Sequence, residues 1–309
     1  MSETASIAIR LSLYVDFGTL FGLPLFAIYA FHGSRTAERY LPIRALIVAL
    51  SISGLLLSVV GFAVQASVMS GVPLIRPDVS ILEVLFNETA LGLALKVRLA
   101  ALVVILIYAG LYNRLPWMGA SVSTIAGATA LGTLAWSGHG AAGEGNAGWL
   151  QLAGNLIHLL AAGVWIGAIA GFLILTLRRI NPDDMAHVTL SERALREFAS
   201  VGTLIVGLLT LTGILNCCFL VGPAQIATLW QSTYGLLLLT KLLLFATMLA
   251  LAGVNRYRLT PALGLAIKRR DARRAMALLR QSLFMEWSLA IIILALVAWL
   301  GTLSPPSSM

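Results

Sequence analysis

Two histidines are the residues of this sequence best suited to chemistry. His158 lies about nine residues into a long apolar run, and a helical rise of about 1.5 Å per residue puts it roughly 13 Å deep. Asn155 and Trp165 share its helical face. His139 precedes that run in a glycine-rich stretch that can fold back over the helix. An imidazole can ligate a metal, relay a proton or simply hydrogen-bond to a neighbouring helix, so these roles stay open for both histidines.

Sulfur ligands stand near the ends of two other apolar runs. Met69 closes one run, and Cys217 and Cys218 are adjacent near the end of another. Adjacent Cα atoms are about 3.8 Å apart and successive helical residues point about 100° apart, so we expect no mutual disulfide and at most one thiol at a given site. Thiolate and thioether sulfur are ligands that Cu(I) prefers. The alternative is that these residues fill gaps between helices.

A few charged residues lie inside apolar runs: Asp16, Lys96, Arg98, Lys241 and Glu286. An unpaired charge in lipid costs several kcal/mol, so each is either paired or functional. Asp16 has a depth similar to that of Arg98 and Lys241, which predicts a salt bridge between Asp16 and one of these two. Glu286 either complements a helix dipole or forms a cation site.

These residues are embedded in a chain with the composition of a membrane protein. Hydrophobic residues make up 59% of the 309 positions, charged residues 11%, and mean hydropathy is +0.91. Runs of roughly 18 to 20 apolar residues cross a hydrocarbon core. We predict an all-α, polytopic integral membrane helical bundle of about eight transmembrane helices, forming a single membrane domain over 1–309. The predicted spans are 7–31, 43–69, 91–112, 117–137, 149–177, 198–220, 234–255 and 283–303.

The basic residues predict the orientation of the bundle. The connectors after spans 1, 3, 5 and 7 contain 16 of the 21 Lys and Arg residues. The positive-inside rule places these connectors in the cytoplasm and both termini in the periplasm. The net charge of +8 is therefore a topology signal for the lipid bilayer, and we expect no nucleic-acid partner. The segment 256–282 is predicted to be a basic, amphipathic cytoplasmic segment.

Span 4 is dominated by small residues between positions 119 and 130. Small side chains let helix backbones approach closely in lipid. The composition therefore predicts a central helix with neighbours on several sides.

The segment 156–167, Leu-Ile-His-Leu-Leu-Ala-Ala-Gly-Val-Trp-Ile-Gly, resembles the signature span of the bacterial copper resistance D (CopD/PcoD) family. A second matching block runs from Phe198 through 211–216, 233–241 and 255–259 to 300–303. The two blocks cover about 135–303, and the number of spans agrees with the family over the whole chain.

The resemblance implies a multi-pass protein of the bacterial inner membrane that moves copper inward from a periplasmic carrier such as a CopC-type protein. In this family the histidines are the candidate copper ligands. The positions that match the family pattern are His139, His158, Trp165, Asn216, Tyr234, Lys241 and Glu286. The expected metal ligands are thus His139 and His158. Met69, Cys217 and Cys218 are added on ligand softness alone, and the bound ion is either Cu(I) or Cu(II).

Three functions are compatible with these residues. The first is a copper transporter, which is not an enzyme and has no ATP-binding P-loop or phosphorylated Asp motif. The second is a b-type haem electron carrier with His139 and His158 as axial ligands. The third is a copper sensor or an assembly partner for a copper enzyme.

Overall fold

A computed structural model of the chain describes residues 2–31, 40–71, 79–111, 114–137, 145–177, 185–222, 225, 229–269 and 271–306. Within these ranges the chain is helical and contains no strand. Eight helical segments of the described chain are long and apolar enough to cross a membrane. The predicted all-α polytopic bundle is therefore confirmed.

The helices are α1 (Ser2–Phe31), α2 (Ile43–Ser70), α3 (Val79–Glu88), α4 (Ala90–Leu111), α5 (Pro116–Gly132), α6 (Gly145–Leu177), α7 (Met185–Leu220), α8 (Thr233–Val254), α9 (Thr260–Lys268) and α10 (Arg273–Leu300). A 3-10 turn over Thr133–Ser137 follows α5, and a π-helical segment over Asn255–Leu259 joins α8 to α9. α3 is too short to span a membrane. α9 follows the π-helical segment and continues α8 beyond its apolar part.

Two helices begin well before the apolar segments that predicted them. α7 begins at Met185 rather than at 198, and α10 begins at Arg273 rather than at 283. The added turns are amphipathic: Val188 and Ala194 are fully buried in α7, while Arg193 is not. The apolar pattern identifies the part of a helix in hydrocarbon, and the helix continues beyond it by packing one face on the core. Within the predicted basic segment 256–282, the described chain forms the end of the π-helical segment, α9 and the first turns of α10.

The core of the bundle is the crossing of α1 and α6. A Cβ atom on Gly22 would lie 2.8 Å from the Cα of Gly167 and would overlap the carbonyl oxygen of Gly163. Gly163 and Gly167 are four residues apart, so both lie on the same face of α6. This spacing of small residues permits the close backbone approach that stabilises helix pairs in lipid.

The small residues of α5 pack as predicted, but α5 is not the central helix. A Cβ on Gly127 would lie 2.9 Å from the Cα of Phe21, so α5 also approaches α1 closely. α5 packs against α1, α4 and α6, whereas α1 packs against α2, α5, α6, α7 and α10. The central position therefore belongs to α1, whose bulky residues fill the interior around its glycine contacts.

The bundle has two ends of different character. We call the end where α1 begins and α10 ends the terminal face; there the Arg10 guanidinium donates a 2.6 Å hydrogen bond to the carbonyl oxygen of Gly301. We call the opposite end the basic face. Its described basic residues are Arg44, Arg114, Arg193, Arg196, Arg256, Arg258, Lys268, Arg269, Arg273, Arg274 and Arg280. Which face meets the cytoplasm stays a prediction.

Candidate functional site

His158 lies half-buried on α6 and faces α7. Its Nδ1 atom is 2.9 Å from Oγ1 of Thr212. The Thr212 hydroxyl is also 2.6 Å from the carbonyl oxygen of Leu208, one turn earlier on α7. A hydroxyl has one proton to donate, and the carbonyl can only accept, so the Thr212 oxygen accepts the hydrogen bond from Nδ1–H of His158.

This geometry assigns the tautomer of the imidazole. When Nδ1 carries the proton of a neutral ring, the lone pair is on Nε2. The Leu209 backbone carbonyl, which lies 3.5 Å from Oγ1 of Thr212, also forms a hydrogen bond with the ring. Metal-binding histidines are commonly held in this way, because the partner of the second nitrogen fixes the orientation of the ring. The arrangement therefore suits Nε2 as a metal ligand.

Small residues leave room along the contact between α6 and α7. A Cβ on Gly213 would lie in ordinary contact, 3.8 Å, from Cε1 of His158. One turn away, Gly154 lies against Leu215, and its added Cβ would be 3.9 Å from Oδ1 of Asn216. Asn216 thus extends the polar contact of His158 and Thr212 toward the terminal face.

α8 brings a cation and an aromatic side chain to the same region. Lys241 interacts electrostatically with both His158 and Cys217. Cys217 packs against the buried pair Tyr234 and Leu238, which lie on the Lys241 face of α8. We call His158, Thr212, Cys217, Tyr234 and Lys241 the polar cluster.

The two adjacent cysteines differ as the helical geometry predicts. Both are free; Cys217 is half-buried within the polar cluster, while Cys218 is exposed. The two free thiols agree with the expectation that the adjacent cysteines form no mutual disulfide. That only one of them serves a metal site stays a prediction.

Two other predicted ligands are not placed with the polar cluster. Met69 ends α2 with 60% of its side chain exposed, and α2 packs mainly against α1 and α4. His139 lies outside the described residues. The part of the chain that the structure describes contains no group of three or more His, Cys, Asp or Glu side chains able to hold a metal. The predicted ligand set therefore stays a prediction.

Trp165 lies on α6 two turns beyond His158, and it is 4% exposed. Its ring meets Phe245 of α8 edge to face, with centroids 6.2 Å apart. Lys241 precedes Phe245 by one turn, so this aromatic pair holds α8 beside α6 directly below the polar cluster.

The predicted salt bridge of Asp16 is wrong. Asp16 is 5% exposed, and its carboxylate points toward α2, where Ser53 is its hydrogen-bond partner. Its Oδ2 has no hydrogen-bond partner and lies against Gly54, whose added Cβ would be 2.8 Å away. Lys241 is in the polar cluster instead, because helix depth predicts the level of a residue but not its neighbours.

Arg98, the other predicted partner of Asp16, makes contacts with other residues. Its Nε donates a 2.8 Å hydrogen bond to Thr133, and its guanidinium carbon lies 5.7 Å from the centroid of the Phe17 ring. Phe17 follows Asp16 on α1, and both side chains lie against Gly54 of α2, but no ion pair joins Asp16 to Arg98.

Glu286 is 4% exposed on α10 and accepts a hydrogen bond from Nδ2 of Asn255. Asn255 begins the π-helical segment, and the Thr260 hydroxyl bonds to its carbonyl oxygen at 2.8 Å. Single π-helical turns occur frequently at functional sites. The sequence analysis identified neither Asn255 nor Thr212 as a candidate site residue. A buried carboxylate such as that of Glu286 and a buried imidazole such as that of His158 each need a hydrogen-bond partner, and these two residues supply it.

Models of two protein families match this chain. One, described as "Copper resistance protein D-like, N-terminal domain", matches residues 1–149. The other, described as "Copper resistance protein D", matches residues 192–300. The matches extend the resemblance found over 135–303 to the N-terminal half.

Three relatives agree with these matches. Copper resistance protein D of Pseudomonas syringae pv. tomato is 39% identical over 306 residues, which cover 99% of this chain and 98% of that protein. Inner membrane protein YebZ of Escherichia coli (strain K12) is 29% identical over 56% of this chain and 55% of its own length. Copper transport protein CutJ of Bacillus subtilis (strain 168) is 27% identical over 56% of this chain and 28% of its own length. No solved structure matches the chain.

Proposed function

Because the chain belongs to the copper resistance protein D family, we propose that it imports copper ions from the periplasm to the cytoplasm through an intramembrane site at His158. The observation that carries the proposal is the hydrogen bond from His158 Nδ1 to Thr212, which directs the ring proton away from Nε2. A neutral, oriented imidazole is a good ligand for either copper oxidation state.

The proposed direction rests on the distribution of charge. The basic face is proposed to meet the cytoplasm of the bacterial inner membrane, with the terminal face and both termini in the periplasm. Copper would then enter at the terminal face, where α6 begins and α7 ends. His139 precedes α6 in sequence, and Met69 and Cys218 are exposed sulfur donors near helix ends, so these three are proposed capture ligands.

The polar cluster supplies the chemistry for the next step. Cys217 supplies a sulfur donor within the polar cluster, and a thiolate with an imidazole suits Cu(I). The ammonium group of Lys241 stabilises negative charge on that sulfur and opposes the entry of an uncoordinated cation. Copper bound as a thiolate complex is therefore favoured over a free cation. Tyr234 and Asn216 border this route and provide polar contacts to it.

Glu286 is the proposed exit site toward the basic face. Its carboxylate is buried in the membrane and has the Asn255 amide as a hydrogen-bond donor. Carboxylate oxygen is a harder ligand than sulfur or imidazole, so it binds Cu(I) less tightly and favours release. The edge-to-face contact of Trp165 and Phe245 is proposed to border the route on its way to Glu286.

The proposed partner at the terminal face is a periplasmic copper carrier of the CopC type. A carrier would deliver copper by ligand exchange, so free copper ions need not cross the periplasm. The lipid bilayer is the second partner, and the large apolar side chains exposed on α7 and α8 face it.

Copper uptake into proteoliposomes tests the proposal. We expect the intact protein to admit copper and His158→Ala to lose most of this uptake. Ile157→Ala is the matched control, since Ile157 is the neighbouring residue on α6 and is 43% exposed on the lipid side. Equal uptake by His158→Ala and Ile157→Ala would refute the site. A Soret band in the purified protein that His158→Ala abolishes would instead support the haem function.

A further inference from the structure

A second charged site lies between α1, α2 and α4, away from the polar cluster. The side chain of Arg98 is 6% exposed, yet it lies inside a membrane span. Among the described residues, an ion pair forms between Arg196 and Glu192 and none involves Arg98. No described carboxylate therefore lies within ion-pair distance of Arg98. Its contacts are the neutral Thr133 hydroxyl and the Phe17 ring.

This arrangement leaves a permanent positive charge without a described counter-charge. A buried carboxyl group such as Asp16 can become neutral by taking up a proton, but a guanidinium group stays protonated in proteins. An isolated charge in a membrane is costly unless it is paired or reaches water. Thr133 uses only the Nε–H donor, which leaves the Nη groups available to a further acceptor.

Arg98 borders a cavity that contains suitable additional donors. The cavity has a volume of about 60 Å³ and lies between α1, α2 and α4. Its polar lining consists of Ser6, Arg10, Tyr14, Gln65 and Arg98, and none of the described lining residues is acidic. Tyr14 interacts electrostatically with both arginines, which places its hydroxyl in the field of the two cations.

The cavity lies in the part of the membrane span that is nearer to the terminal face. A helix of 30 residues such as α1 is about 45 Å long, close to the thickness of a bilayer with its headgroups. Arg10 lies about 12 Å from the start of α1, and Arg98 is at a similar distance along α4. A phosphate group of a lipid can therefore reach this level.

We propose that the cavity is an oxyanion site that binds a phosphate group through Arg98 and Arg10, with Tyr14, Gln65 and Ser6 as neutral donors. Planar guanidinium groups bind oxyanions through paired N–H donors, and charge-assisted bonds of this kind are strong. The phosphate is either the headgroup of an anionic lipid or free inorganic phosphate.

The test uses the full-length protein in nanodiscs of phosphatidylcholine alone or with phosphatidylglycerol. Native mass spectrometry measures retained phosphatidylglycerol, and thermal unfolding in phosphatidylcholine nanodiscs measures stabilisation by inorganic phosphate. Arg98→Gln is the main variant, and Arg44→Gln, an exposed arginine of the basic face, is the matched control. Arg10→Gln and Arg98→Lys provide further variants in case Arg98→Gln fails to fold.

Preferential retention of phosphatidylglycerol that Arg98→Gln weakens about tenfold or more, with Arg44→Gln unchanged, supports a headgroup site. Saturable stabilisation by inorganic phosphate with the same dependence on Arg98 supports a site for the free anion. Binding of neither ligand, or binding that is equal in Arg98→Gln, Arg10→Gln and Arg44→Gln, overturns the proposal. Copper binding at His158 is measured in the same variants, and its failure would concern the proposed function alone.

Discussion

Nδ1 of His158 and Oγ1 of Thr212 are 2.9 Å apart across the contact of α6 and α7. Because the Thr212 proton is donated to the Leu208 carbonyl, this one distance determines which imidazole nitrogen is available to a metal. The orientation of the proposed copper ligand therefore depends on a residue that touches no metal itself.

Thr212→Val should weaken copper binding by about 10- to 100-fold, the loss typical when the hydrogen-bond partner of a metal-binding histidine is removed. Valine keeps the shape of threonine but cannot accept the Nδ1–H bond. The measurement is titration of purified protein against a competing copper chelator. Thr210→Val is the control, since Thr210 has the same backbone hydrogen bond on the exposed face of α7. Equal affinities for the two variants would contradict the positioning role.

Cys217→Ser should reduce the affinity for Cu(I), whereas Cys218→Ser should leave it nearly unchanged. Replacing sulfur by oxygen makes the ligand harder, and Cu(I) prefers soft donors. Only Cys217 is half-buried within the polar cluster, so the adjacent cysteine serves as an internal control. The same chelator competition under reducing conditions measures both variants. A larger loss for Cys218→Ser would mean that copper binds outside the polar cluster.

Gly167→Ala should destabilise the bundle by about 1–3 kcal/mol or more, because an added methyl group overlaps the backbone of Gly22 where α1 and α6 cross. Gly207→Ala is the matched control: a Cβ there meets nothing within 4 Å. Thermal unfolding in detergent or nanodiscs compares the two variants. If Gly167→Ala unfolds at the same temperature as Gly207→Ala, the close crossing is not a stabilising contact.

Asn255→Leu should cost about 1–3 kcal/mol of stability, since it leaves the buried carboxyl group of Glu286 without its donor. The double variant Asn255→Leu with Glu286→Leu should recover part of this loss, because the remaining polar group is then also removed. Thermal unfolding of the single and double variants measures the coupling. Additive losses would show that the two side chains stabilise the protein independently.

The architecture could be predicted from the sequence because lipid imposes a strong constraint. A membrane-spanning segment must form all its backbone hydrogen bonds within one helix and cover that helix with apolar side chains. The composition of each apolar run therefore predicts a membrane-spanning helix. Helix ends could not be placed as well: α7 and α10 continue past the apolar segment into amphipathic turns that pack on the core.

The site was only partly predictable, since the pattern gives the depth of a residue but not the neighbours of its helix. Lys241 illustrates this limit: its depth predicted a partner in Asp16, but α8 places it beside His158 and Cys217. Thr212 gave no signal of its own, because a single threonine in a lipid span is ordinary and usually bonds to its own helix. The role of Thr212 follows from the packing of α6 against α7.

The most direct test of the account is X-ray absorption spectroscopy at the copper edge of the Cu(I)-loaded protein and of His158→Ala. We expect scattering from an imidazole together with sulfur in the intact protein, and loss of an imidazole contribution in His158→Ala. Identical spectra for the two proteins, at equal copper content, would contradict the assignment of His158 as a copper ligand.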